Sequence, residues 1–294
     1  MENSPIQHLS KPMSHGCLLY AWFSSMHTRV DIILYDGDED KLLGIVRLIY
    51  EELYRLEQLA NFYEDSELFR VNKKAIQEPI KMSRELFDMI SFCLSAHERT
   101  LGYFDIAVHS DGYNTETVHA INLSSKNQTI SFGMPGVKIN LSGYLKGYAI
   151  EKIRGLLNNC GQRNALVNMG NSSVLAMGNH PYGEGWKVTF GNSADLLNTE
   201  NDIWLFNECL TTSGNDSEER KHIIDPFTGQ LIKGNRQVAV ITDNGEEGEI
   251  LSTALFAVGV EKQHILRKTF SPRWIQFLPA ETVIHEYESS DALN

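Results

Sequence analysis

The chain has 294 residues, of which 42% are hydrophobic and 22% charged, with a net charge of −12 at pH 7. This is the balance of a folded protein, and the length admits one large domain or two closely packed lobes. So acidic a surface repels nucleic-acid phosphates and anionic membranes, and no apolar run approaches the roughly 18 residues of a transmembrane helix.

Residues 1–16 are polar, carry Pro5 and Pro12, and are expected to be poorly ordered, leaving 17–294 as the folded part. The apolar run Cys17–Phe23 is too short for the core of a leader. As written, the chain is expected in the cytoplasm; a native leader would instead send it to the periplasm or a membrane. Cys17, Cys93, Cys160 and Cys209 are scattered and offer neither a zinc spacing nor a disulfide framework. Val30–Tyr35 predicts a strand ending at the turn Asp36-Gly37-Asp38. Leu42, Ile45, Val46, Ile49, Leu53, Leu56 and Leu59 recur at helical spacing and predict a helix over 41–59. A second helix is predicted from Arg84 to Leu101, stopped by Gly102, with Gly102–Val108 extended or a strand. Residues 109–137 suggest loops and short hairpins, followed by a short strand over Val137–Leu141 and a helix from Ser142 to Asn158. Further strands are predicted at Ala165–Met169, Trp186–Phe190, Gln237–Thr242, Trp274–Leu278 and Thr282–Tyr287, with a helix over Glu249–Val260. Helices and strands mix without a βαβ rhythm, which predicts an α+β protein with at least one mostly antiparallel sheet.

Four segments could carry chemistry. Asn140-Leu-Ser-Gly-Tyr-Leu-Lys-Gly-Tyr-Ala149 joins a strand to a helix start. Free helix N–H groups, Gly143 and the Lys146 ammonium would cradle a phosphate there, or the segment is an ordinary helix start capped by Ser142. His222, just before the turn sequence Asp225-Pro226-Phe227-Thr228-Gly229, is a candidate proton acceptor or a histidine that merely satisfies a carbonyl. Glu249 and Thr253 lie four residues apart on one helix face. Their carboxylate and hydroxyl suit Mg²⁺, or they cap and pack the helix. Gly102-Tyr103-Phe104-Asp105 sets two aromatics beside a carboxylate, suited to flanking a planar ring or to a core strand.

Taken in order, the segments resemble the ApbE family, the FAD:protein FMN transferases. Its Y-x-x-x-S-E-L-x-R-x-N pattern is matched by Phe62, Ser66-Glu67-Leu68, Arg70 and Asn72, and its G-x-F-D-x-x-V by Gly102 to Val108. Asn140 to Ala149 stands for D-L-G-G-I-A-K-G-Y-A, and Leu166 to Ser172 for L-V-N-x-G-G-D. Thr212 to Asn215 with His222 to Gly229, and Glu249 to Phe256, match the last two patterns. The resemblance implies an ApbE-like, T-fold-like architecture of two lobes with a cleft between them. It implies Mg²⁺-dependent cleavage of FAD, with FMN moved onto a Ser/Thr hydroxyl of an acceptor flavoprotein and AMP released, or FAD pyrophosphatase activity. Carried across, His222 is catalytic, and Glu249, Thr253 and the Leu145 carbonyl hold the metal. Phe62, Tyr103, Asp105, Gly143, Lys146, Asn168, Gly170, Ser213, Gly214 and Asp225 contact FAD, with Phe62 stacking on a ring.

The chain departs from those patterns at Asn140, Ser142, Leu145, Asn171-Ser172, Asn215 and Glu249: carboxylates are lost at Asn140, Ser172 and Asn215, Ser142 and Leu145 add bulk, and Glu249 is a longer carboxylate than the pattern's Asp. Fewer carboxylates weaken a hard-cation site. A catalytically silent descendant that binds flavin or another nucleotide is therefore the alternative expectation.

Overall fold

A computed structural model describes residues 5–63, 65–189, 202–215, 223–234 and 236–278. In chain order the elements are β1 (Gln7–Pro12), β2 (Cys17–Ser25), β3 (Thr28–Gly37), α1 (Glu39–Ala60), α2 (Glu67–Lys74), β4 (Ile80–Lys81), α3 (Arg84–Arg99), β5 (Ile121–Ser124), β6 (Thr129–Phe132) and α4 (Ser142–Asn159). They continue with β7 (Ala165–Met169), β8 (Ser173–Met177), β9 (Trp186–Thr189), β10 (Asp202–Leu205), β11 (Cys209–Gly214), β12 (Ile224–Asp225), β13 (Gln230–Leu231), β14 (Gln237–Thr242), α5 (Gly245–Ala257), α6 (Val260–Phe270) and β15 (Trp274–Leu278). The fold is α+β. Its centre is an eight-stranded sheet ordered β1-β2-β3-β7-β8-β11-β14-β15, and every pairing in it is antiparallel.

Strand alternation decides what covers each face. On β14, Val238 and Val240 join the main core, to which α1, α4 and α5 contribute, while Ala239 and Ile241 join a smaller core with Trp186, Ile203 and Leu205 of the β9–β10 hairpin. Because both faces of β8 are covered, all five of its residues are buried. Helix α1 follows from its spacing: Leu42, Ile45, Val46, Ile49, Leu53, Leu56 and Leu59 are buried, each worth about 1.5–3 kcal/mol on leaving water. Asp38 starts it by accepting from the Lys41 N–H at 2.8 Å, and Glu39 and Asp40 favour the positive end of the dipole.

Three expectations need correction. Residues 7–12, expected to be disordered, form edge strand β1; its side chains are exposed, so the polar composition is that of an edge paired only with β2. Residues 102–108 and 137–141 are not strands. One main-chain bond joins them, Asn140 N–H to the Ile106 carbonyl, and a second, Asp111 N–H to the Gly136 carbonyl, lies just beyond both. Side chains take the remaining groups: Asn72 binds both the N–H and the carbonyl of Ile139 at 2.8 Å, and the Ser110 hydroxyl accepts from Lys138 N–H at 2.9 Å. The strand expected at Thr282–Tyr287 lies outside the described residues.

Candidate active site

The clamp made by Asn72 sets the start of α4. Ser142 does not cap that helix. Asn140 Oδ1 accepts from the Ser142 N–H at 2.9 Å and from its hydroxyl, while Leu141 occupies the cap position with no side-chain bond. Gly143 follows in the first turn and faces the cavity. Helix α5 crosses close by. A β-carbon on Gly147 would sit 2.3 Å from the Gly245 carbonyl oxygen and 2.8 Å from Glu249 Cγ, so only glycine permits this approach. A β-carbon on Gly143 would lie 3.9 Å from Thr253 Oγ1. The crossing therefore brings Lys146 and the α4 start to the Glu249–Thr253 face.

Glu249 is 4% exposed, and its Oε1 accepts from the Ser173 hydroxyl. Burial pushes its carboxyl above the usual carboxylate range, and the Lys146 ammonium and the Ser173 hydroxyl draw it part of the way back. Thr253 Oγ1 lies 3.1 Å from the Ser213 hydroxyl, which also contacts Ser252 Oγ at 2.8 Å. Lys146 Nζ donates to Ser172 Oγ in the β7–β8 turn. There Gly170 and Asn171 take φ of 65° and 58°, and Asn168 holds Asn171 through its side-chain amide and main-chain N–H at 2.8 and 2.9 Å.

These groups line one cavity of about 1330 Å³, above the ~300–1,000 Å³ of a typical small-ligand site. It brings together Tyr103, Asp105, Gly143, Lys146, Asn168, Gly170, Ser213, Gly214, Glu249 and Thr253 of the sequence expectation. The Asp105 side chain is wholly buried: Oδ1 accepts from Ala107 N–H at 2.7 Å and Oδ2 from the Tyr113 hydroxyl at 2.8 Å. It shapes the wall rather than offering a free charge. Three expected residues do not line the cavity. Asp225 is spent on its own turn, accepting from Phe227 N–H at 2.9 Å and Thr228 Oγ1 at 3.0 Å, while Ile224 and Pro226 reach the cavity. Leu145 is half-buried in the first turn of α4. Phe62 stands behind Tyr63 and His109, which do line it. His222 lies outside the described residues. Of the other motif residues, Arg70 is exposed in a separate groove with Glu67, Lys74 and Lys81. Sequence reasoning missed His109, Tyr63 and Ser173; the hydroxyl at 173 could have been found from alternation along β8, which turns it to the α5 side.

A family model described as the ApbE family matches residues 26–111 and 112–272. The chain belongs to the ApbE family. It is 27% identical over 236 residues to the FAD:protein FMN transferase of Chlamydia muridarum, covering 68% of this chain and 71% of that protein. It is 24% identical over 263 residues to a protein of the same name from Klebsiella pneumoniae, covering 78% and 79%. Among solved structures, the flavin transferase ApbE from Vibrio cholerae matches with a TM-score of 0.71 at 19% identity, covering 92% of each chain. The ApbE protein from Thermotoga maritima matches at 0.70, with 20% identity and 90% coverage of each. These two likenesses are likenesses of fold.

The donor set suits a hard cation in one way only. Among the described residues no group of three or more His, Cys, Asp or Glu side chains gathers. Glu249 supplies one buried carboxylate and Thr253 and Ser213 supply hydroxyls, whereas Asn140 Oδ1 is already engaged by Ser142. Mg²⁺ is commonly held by one or two carboxylates with substrate phosphates completing the sphere. An ApbE-family cavity of this composition fits Mg²⁺ shared with a ligand pyrophosphate, and not Mg²⁺ alone.

Proposed function

We propose that this ApbE-family flavin transferase moves FMN from FAD onto a Ser/Thr hydroxyl of an acceptor protein and releases AMP. The names of its relatives support FAD as the donor and a protein as the acceptor. The observation that carries the reading is the meeting, in one dinucleotide-sized cavity, of the α4 start, Lys146, and the Glu249–Thr253 face.

The chemistry follows from these groups. The acceptor oxygen attacks the phosphorus on the FMN side of the pyrophosphate, forming a new P–O bond. The bond to the bridging oxygen breaks, and that oxygen leaves with AMP. The negative charge that builds on the leaving phosphate is met by Lys146 and by the N–H groups and dipole of α4. Glu249, Thr253 and Ser213 would hold Mg²⁺, which when bound neutralises phosphoryl oxygens. Gly143 keeps the helix start bare, so the backbone can approach the phosphates. His222, by resemblance, takes the hydroxyl proton. Water in place of the acceptor gives FMN and AMP, the pyrophosphatase reaction.

His222→Ala tests the assignment. It is expected to lower AMP release by about 100-fold or more, the scale of a lost general base, with an unchanged far-ultraviolet spectrum and melting temperature. Wild-type turnover in that variant would remove His222 from the mechanism.

A further inference from the structure

Tyr144 lies in the first turn of α4, between Gly143 and Lys146, and is 1% exposed. The motif in which it stands has isoleucine at this place, and a phenol sealed among helices needs a partner for its hydroxyl. The partner is on the next helix. Tyr144 Oη donates to Glu246 Oε2 at 2.5 Å. Glu246 is half-buried in the first turn of α5, one turn ahead of Glu249. Burial pushes the Glu246 carboxyl up and the Tyr144 hydroxyl draws it part of the way back. The Tyr144 phenol is itself pushed up by burial, so it keeps its proton and stays the donor. Its ring packs against Phe92 of α3 and Tyr148 of α4, with centroids 5.6 and 5.7 Å away. Tyr148 donates to Glu85 Oε1 at 2.7 Å, and Glu85 takes two further bonds from Arg55 of α1. The hydroxyl is thus presented to α5 from a ring held by other helices.

Two other contacts from α4 reach the start of α5. Gly147 lies against the Gly245 carbonyl, and Glu151 Oε1 accepts from the Gly245 N–H at 2.8 Å. Both fall on Gly245 and make it a pivot, about which one helix can still turn on the other. The Tyr144–Glu246 bond is a second point of attachment, nearer the α4 start. Turning about the pivot would carry Gly143 and Lys146 away from Glu249 and Thr253. Neither Tyr144 nor Glu246 lines the cavity.

We infer that Tyr144 and Glu246 are positioning residues, whose hydrogen bond fixes the α4–α5 angle at which Lys146 and the Glu249–Thr253 face reach one ligand together. The inference rests on the reading above, in which a ligand pyrophosphate shares Mg²⁺ with those residues.

The test is titration calorimetry with ADP, which carries a pyrophosphate but no flavin ester to be cleaved, with and without Mg²⁺. The gain in affinity on adding the metal reports the two helices acting together. Affinity without the metal reports the α4 side alone. Tyr144→Phe keeps the ring and removes the hydroxyl. It is expected to leave affinity without Mg²⁺ unchanged and to cut the gain about five-fold or more, within the range of coupling between two ligands. Glu246→Gln keeps an oxygen for the Tyr144 hydroxyl and is expected to keep the gain. The Mg²⁺ concentration for half-maximal AMP release from FAD is expected to rise in Tyr144→Phe and not in Glu246→Gln. The double variant Tyr144→Phe/Glu246→Leu makes both partners apolar, which spares the fold an unpaired buried group. It is expected to lose the gain as well, and it serves if Tyr144→Phe fails to fold. A full gain in Tyr144→Phe or in the double variant would overturn the inference. So would a lost gain in Glu246→Gln, an equal loss of ADP affinity with and without Mg²⁺, or a wild-type chain that releases AMP from FAD and shows no gain. A wild-type chain that shows no gain and releases no AMP would instead overturn the flavin transferase reading.

Discussion

At the scale of single residues, Glu249 is where stability and function oppose each other. Its pKa is higher in the folded chain than in the unfolded one, so the folded state keeps the proton to higher pH. The favourable contribution is complete below the unfolded value and is lost as pH rises through the folded value. Once ionised, the carboxylate is thus a net cost to the fold, tolerated beside Lys146. Glu249→Gln keeps the acceptor for the Ser173 hydroxyl and removes the charge. It is expected to raise the melting temperature at pH 7 while lowering Mg²⁺-dependent turnover about 100-fold or more. Asn215 makes the opposite point about replacing family carboxylates. It is fully buried, and its Nδ2 donates to the carbonyls of Ile232 at 2.9 Å and Gly234 at 3.1 Å. An aspartate cannot donate either bond. Asn215→Asp, although it restores the family residue, is expected to cost at least ~2 kcal/mol and to show as a lowered midpoint in urea unfolding.

Among elements, the α4–α5 crossing is the joint that assembles the site. Gly147→Ala would force the two helices apart at the Gly245 carbonyl and push Glu249 from its place. The expected cost is about 1–3 kcal/mol, with a drop in turnover that exceeds the loss of folded protein. Urea unfolding and kinetics on the same sample separate the two effects. This joint also shows what the sequence makes legible. Helices α1 and α4, and strands β3, β7 and β14, follow from apolar spacing, since each buries one face or both against the sheet. The pattern around Lys146 located the α4 start correctly. Spacing could not show that 137–141 gives main-chain groups to Asn72 and Ser110, or that 102–108 gives its own to Thr100 and Asp105, because such side-chain bonds leave no mark on apolar periodicity. It could not find β1, whose side chains are all exposed and carry no alternating signal. Nor could spacing show that Asp225, which the resemblance places among the FAD contacts, accepts two bonds within its own turn. His109 carried no motif at all and is recognised only through its neighbours.

For the molecule as a whole, the sheet explains how so acidic a chain keeps a place for an anionic dinucleotide. The large antiparallel sheet and its helices carry the core, and the cavity forms where the β7–β8 turn, the end of β11 and the starts of α4 and α5 converge. There Lys146 donates to Ser172 and draws on the buried Glu249 carboxylate, and among the described residues no group of three or more His, Cys, Asp or Glu side chains gathers. The lost family carboxylates at Asn140 and Asn215 are replaced by amides with hydrogen-bonding work of their own, so the site keeps its shape with less charge. On the function proposed above, the ligand's phosphates would complete the cation site. The central claim is that this cavity still cleaves the FAD pyrophosphate. The most direct measurement is chromatography of FAD incubated with the wild-type chain and with Glu249→Gln, with and without Mg²⁺. AMP is expected to accumulate with the wild-type chain in Mg²⁺, matched by free or protein-bound FMN, and to fall to near background without the metal or in the variant. AMP release equal in the wild-type chain and Glu249→Gln, or no AMP above background under any condition, would contradict the account.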